Sequence, residues 1–265
     1  MAGSRRDFLK QAVVGSAAIV IPGYAGQQER PKAQTAIPRW RGFNLLDMFT
    51  MRSRGEFPED DFRMIRDFGF DFVRFPSCYR LWIEDGDDYK IKESMLERLD
   101  RGIELAGKYG LHVSLNFHRG PGYSVNREFE EPHSLWKDKS ALDAFCFHWQ
   151  LMAKRYKGIS KDKLSFDLIN EPPSLGDRMS RADHERVVRT TVAAIREVNP
   201  DRLVVADGIS WGNETAPELA DLGIAQSTRA YQPMFISHYG ASWVNGANYP
   251  DPAWPGHGWD RKRME

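Results

Sequence analysis

Cysteine is scarce: there are two among 265 residues. Cys78 and Cys146 lie far apart, with no metal-type spacing around either. A disulfide-built fold is excluded, and the two read as buried free thiols. Histidine is thin as well, seven residues dispersed along the chain. None falls on the first candidate strand, so the alternate histidines of a metal-dependent barrel hydrolase are missing, and neither a metal nor a cofactor is implied. Net charge is absent, because 37 basic and 37 acidic side chains cancel. That removes the electrostatic case for nucleic acid or an anionic membrane. The apolar run from Ala12 to Ile21 falls short of the ~20 residues that a stable membrane span needs. Nor does a Gly-rich phosphate loop follow the first candidate strand, where Phe43-Asn44-Leu45-Leu46-Asp47 stands instead, and this argues against a dinucleotide-binding open sheet.

What is present begins with an address. Ser4-Arg5-Arg6-Asp7-Phe8-Leu9-Lys10, followed by the weakly apolar run to Ile21 and then Pro22-Gly23, resembles a twin-arginine export signal. The expectation is a signal peptide over 1–25, a linker over 26–36 rich in Gln, Lys and Pro, and a folded domain from 37 to 265. The implied partner is the twin-arginine export machinery, and the implied location is periplasmic or secreted. Substrates of that route cross already folded, which suits a chain that does not rely on disulfides.

From residue 39 onward, short apolar runs alternate with stretches of helical period, the pattern of a parallel sheet wrapped in helices. Strands are expected at 39–46, 71–75, 111–117, 164–169, 202–206 and 234–237. Helices are expected at 58–68, 93–109, 140–156 and 180–198, the second ending at Gly110. The fold class is therefore α/β, a (β/α)8 TIM barrel with about six βα units present. The eight Trp are assigned mostly to its core. Polar residues gather at the C-terminal strand ends, which converge on one mouth in a barrel.

Cleaving a glycosidic bond needs an acid to protonate the leaving oxygen and a second carboxylate to act on the anomeric carbon. Leu168-Ile169-Asn170-Glu171-Pro172-Pro173 supplies the first at a strand end, with Pro172 expected to hold Glu171 extended. Counting back by twos puts Ile169, Asp167 and Ser165 on the interior face. Asn170 then needs a break in the pleat to reach the mouth too.

Together with Trp40-Arg41-Gly42-Phe43-Asn44, Val73-Arg74-Phe75-Pro76, Leu115 to Tyr123 and Ser237-His238-Tyr239, this segment resembles glycoside hydrolase family 5, the cellulase-like branch of clan A. The resemblance implies Glu171 as acid/base, Asn170 on the sugar hydroxyl beside the reacting carbon, and Arg74 supporting the nucleophile. It implies His118, His238 and Tyr239 as hydrogen-bonding residues and Trp211 as a sugar platform; Trp82, Trp136 and Trp243 are weaker subsite candidates. It further implies a retaining enzyme acting on a β-linked polysaccharide such as β-1,4-glucan or mannan. The competing function is a carbohydrate-binding barrel without chemistry. In the family, the sixth-strand His and Tyr stand two apart, whereas His238 and Tyr239 are adjacent. The family's nucleophile, a Glu ending strand seven, has no counterpart: Glu214 and Glu265 are misplaced. The expectation is a truncated sequence, inactive alone.

Overall fold

In the computed structural model, residues 37–126 and 129–264 are described; the expected signal peptide and linker lie outside them. The sheet is built from six parallel strands in chain order: β1 (Gly42–Asn44), β2 (Phe72–Cys78), β3 (His112–Gly120), β4 (Leu164–Asp167), β5 (Val204–Asp207) and β6 (Ala225–Ser227). A two-residue strand, Tyr123–Ser124, folds back antiparallel on the end of β3. Helices α1 (Glu59–Asp67), α2 (Glu93–Lys108), α3 (Lys139–Arg155) and α4 (Arg181–Val198) connect the strands and cover one face. Between β5 and β6 stand a short helical turn, Ile209–Gly212, and a 3₁₀ segment, Pro217–Leu222. Among the described residues, no helix is long and apolar enough to cross a membrane.

Two-residue alternation sorts the strands. Val73 and Phe75 of β2, Val113, Leu115 and Phe117 of β3, and Leu164 and Phe166 of β4 are buried in the core, where Phe117 stacks on Trp149 of α3 at 4.0 Å. Their neighbours in sequence, Arg74, Ser114, His118, Ser165 and Asp167, line a cavity on the opposite face. Register fixes this layering, with Arg74 opposite Ser114 and Ser114 opposite Ser165. The sheet is a partial (β/α)8 barrel: among the described residues β1 and β6 each pair with one strand only, and on the β1 side Phe43 and Leu46 are about half exposed, at 49% and 54%.

The expected helices are all present within a residue or two of their bounds. Gly110 does take the left-handed conformation, φ 72°, that ends α2. One strand is corrected. Met234–Ser237 is a helical turn begun at Pro233, and the sixth strand is Ala225–Ser227. An Ala-Gln-Ser strand has no apolar run to announce it, while Met-Phe-Ile mimics a buried strand and instead packs as a turn. Among the described residues neither cysteine forms a disulfide; Cys78 is buried and Cys146 half-buried.

Candidate active site

The strand ends of β2 to β6 open into a cavity of about 650 Å³, lined among others by Arg74, His118, Asp167, Asn170, Glu171, Arg229 and Tyr231. Four of the sequence-expected residues, Arg74, His118, Asn170 and Glu171, thus meet there.

β4 ends at Asp167, and the pleat breaks beyond it. Ile169 turns to the helix side, close to Gly120, so that Asn170 and Glu171 both face the cavity. Glu171 is not extended, as Pro172 suggested, but left-handed, with φ 53°. Proline disfavours only the right-handed helical region for its predecessor, and main-chain bonds select among the rest. The Glu171 N–H donates to Asp207 Oδ2 at 2.9 Å. Its carbonyl accepts from Tyr123 Oη at 2.6 Å. A non-glycine residue in this region carries roughly 1–3 kcal/mol of strain and persists only where the surroundings hold it.

The charged groups interlock. Arg74 Nε donates to Asp167 Oδ2 at 2.8 Å and its Nη2 to Asn170 Oδ1 at 3.0 Å. Arg74 is thus both the ion-pair partner of Asp167 and part of the cavity wall. Arg229 pairs with the fully buried Asp207 and lies 3.6 Å from Glu171 Oε1. Tyr231 Oη donates to the same Oε1. Burial, followed by the bond to Glu171, pushes the Tyr231 phenol up to about 12, which keeps it a donor. Burial, reinforced by the nearby Asp167 carboxylate, raises Asp207 to about 6 against the pull of Arg229 and Arg74. His118 tilts on Phe49 with ring centroids 4.5 Å apart. It is held neutral first by burial, then by Arg119, Arg74 and Arg229.

His238 and Tyr239 do not line this cavity. With the sixth strand moved upstream, His238 packs edge-on against the Tyr231 ring at 4.8 Å, and Tyr239 turns away to Asp251, 2.9 Å from its hydroxyl. Trp211 also stands outside the lining. Its N–H donates to Pro172 O at 2.8 Å, which ties the loop after β5 to the loop carrying Glu171 and leaves the indole half exposed. Trp82 and Trp136 are core residues, while Trp243 is 77% exposed. Sequence reasoning missed Asp207, Arg229 and Tyr231.

The chain matches the cellulase model of glycosyl hydrolase family 5 over residues 31–249. It belongs to glycosyl hydrolase family 5. Cellodextrinase A of Ruminococcus flavefaciens is 29% identical over 193 residues, 70% of this chain and 54% of that protein. Endoglucanase C of Acetivibrio thermocellus is 30% identical over 196 residues, 71% of this chain and 54% of that protein. The chain therefore spans about half the length of these curated relatives. A crystal structure of a glycoside hydrolase, 40% identical, superposes with a TM-score of 0.79 over 83% of this chain and 68% of that one. The spacing of two between the sixth-strand His and Tyr of family 5 is kept here by Arg229 and Tyr231, with an arginine in the first place.

Proposed function

We propose that this family 5 chain supplies the acid/base side of a retaining glycosidase site that hydrolyses a β-linked polysaccharide, a β-1,4-glucan before a mannan. Glu171 carries the reading. A carboxylate at the mouth of a partial barrel is locked at both main-chain groups, by Asp207 and Tyr123, and at Oε1 by Tyr231. Such preorganisation is what an acid/base needs, and it leaves Oε2 as the oxygen that exchanges the proton. Protonated Glu171 donates to the leaving oxygen as the glycosidic bond breaks, and as carboxylate it then takes a proton from the attacking water.

A retaining displacement requires a second carboxylate about 5–5.5 Å away. Among the described residues, the cavity offers only Asp167 besides Glu171, and Asp167 is bound to Arg74. The second carboxylate is therefore taken to come from outside these lining residues. The glucan preference rests on the relatives, an endoglucanase and a cellodextrinase. Export by the twin-arginine route belongs to the same proposal and rests on Arg5-Arg6.

Glu171→Gln in the full-length enzyme should lower turnover of unactivated β-glucan by roughly 10²–10⁴-fold with binding nearly intact. A variant within about threefold of the parent sinks the assignment.

A further inference from the structure

Asn170 is 2% exposed and lines the cavity. Its Oδ1 faces two guanidinium groups, Arg74 Nη2 at 3.0 Å and Arg229 Nη2 at 3.4 Å. A guanidinium only donates, so two of them on one side of an amide decide which end is oxygen. The other end, Nδ2, has no hydrogen-bond partner in the protein. A buried N–H without a partner costs about 1–3 kcal/mol and is kept where something else is meant to meet it.

Arg229 is placed for this by its own contacts. Its Nη1 donates to Ser227 Oγ at 2.5 Å, Nη2 pairs with Asp207, and the group is 16% exposed. One planar fork thus spans the end of β6, the end of β5 and Asn170. We infer that Arg229 is a positioning residue: by holding Asn170 Oδ1 together with Arg74, it turns Nδ2 toward the substrate as a fixed donor for a sugar hydroxyl. A lysine would supply Asp207 with a counter-charge but not the fork, since an ammonium is a point donor. That difference separates orientation from mere charge neutralisation.

The inference rests on the proposed function, and its test uses the full-length protein. The probes are 2,4-dinitrophenyl β-cellobioside and its analogue lacking the hydroxyl beside the reacting carbon. The activated leaving group needs no acid, so damage at Glu171 does not confound the result. Removing the hydroxyl should cost the parent roughly tenfold to a hundredfold in kcat/KM. In Arg229→Lys and Arg229→Gln the same removal should cost about twofold or less, because the donor is no longer aimed. Arg229→Lys keeps a charge beside Asp207, so a thermal midpoint near the parent's will show that it folds. An undiminished hydroxyl penalty in both variants, or an Arg229→Lys enzyme equal to the parent, overturns the inference.

If the parent does not cleave the probe, it is the glycosidase reading that fails. The positioning role is then read from the Asn170 side-chain amide resonance, identified by its loss in Asn170→Asp. Hydrogen exchange there should speed up roughly tenfold or more in Arg229→Lys when the clamp is lost. Unchanged exchange refutes the role.

Discussion

At the scale of single residues, the site depends on which oxygen of Glu171 is occupied. Tyr231 Oη donates to Oε1, and the Tyr231 phenol is held protonated, its value pushed up to about 12 by burial and by that bond. Removing the hydroxyl frees the carboxylate to rotate without unfolding its neighbours. Tyr231→Phe in the full-length enzyme should therefore lower kcat roughly tenfold to a hundredfold while KM changes little, the signature of an interaction made for the reaction and not for binding. A matching rise in KM with kcat intact would reassign Tyr231 to substrate binding. Glu171, Asn170, Arg74 and His118 were legible because each sits at or near the end of a strand that the apolar pattern announces. Tyr231 and Arg229 were not, because they follow a strand of three small or polar residues, Ala225–Ser227. The spacing Arg229-Ala230-Tyr231 was the available signal. The adjacent His238-Tyr239 drew attention away from it, though His238 packs against the Tyr231 ring and bonds to Ser237 outside the cavity lining. Asp207 was missed because nothing in a Val-Val-Ala-Asp strand distinguishes a functional carboxylate from a capping one.

At the scale of elements, the helices were the most legible, since 3.6-residue periodicity and end signals act within one segment. α4 shows why. Ser180 Oγ accepts from the Asp183 N–H at 3.2 Å, and Asp183 Oδ2 accepts from the Ser180 N–H at 2.9 Å, a reciprocal capping box. Lys137 and Ser180, in that order, hold Asp183 well below the usual carboxylate range. Ser180→Ala removes one arm of the box. It should cost about 1 kcal/mol, a fall of roughly 2–4 °C in Tm for a domain of this size. No change in the thermal midpoint would mean that the contact between Lys137 and Asp183 sets the start of α4. Strand ends were less legible because pairing decides them: β2 runs to Cys78 and β3 to Gly120, each bonded to the other past the point where the apolar pattern stops.

At the scale of the whole molecule, alternating strand and helix made the barrel legible, but it could not show that three imidazoles are locked inside. His112, His148 and His184 are each almost fully buried. His148 Nδ1 accepts from Trp82 Nε1 at 3.2 Å, which only a neutral ring can do. His112 lies flat on Trp40 with ring centroids 3.6 Å apart and meets Ser165 Oγ at 2.9 Å. Burial, the largest cause for all three, lowers each to about 4 from 6.5. A histidine depressed in the folded state contributes stability that is complete above pH 6.5 and is lost as the pH falls toward 4, because the unfolded chain takes up the proton first. By pH 5 the loss is about 2 kcal/mol for each ring. Asp207 works in the opposite direction. Raised to about 6, it gains stability as the pH falls below that value, offsetting about 1 kcal/mol by pH 5. The histidines win, and the net loss is a large share of the ~5–15 kcal/mol that holds a domain together. Urea unfolding of the 265-residue chain should therefore show a midpoint well below its pH 7 value at pH 5. In His148→Asn the amide oxygen still accepts from Trp82 and nothing titrates, so the decline should be shallower by about one proton. A midpoint constant from pH 7 to pH 5, or a His148→Asn slope equal to the parent's, would show that these rings do not govern the acid limit of the fold.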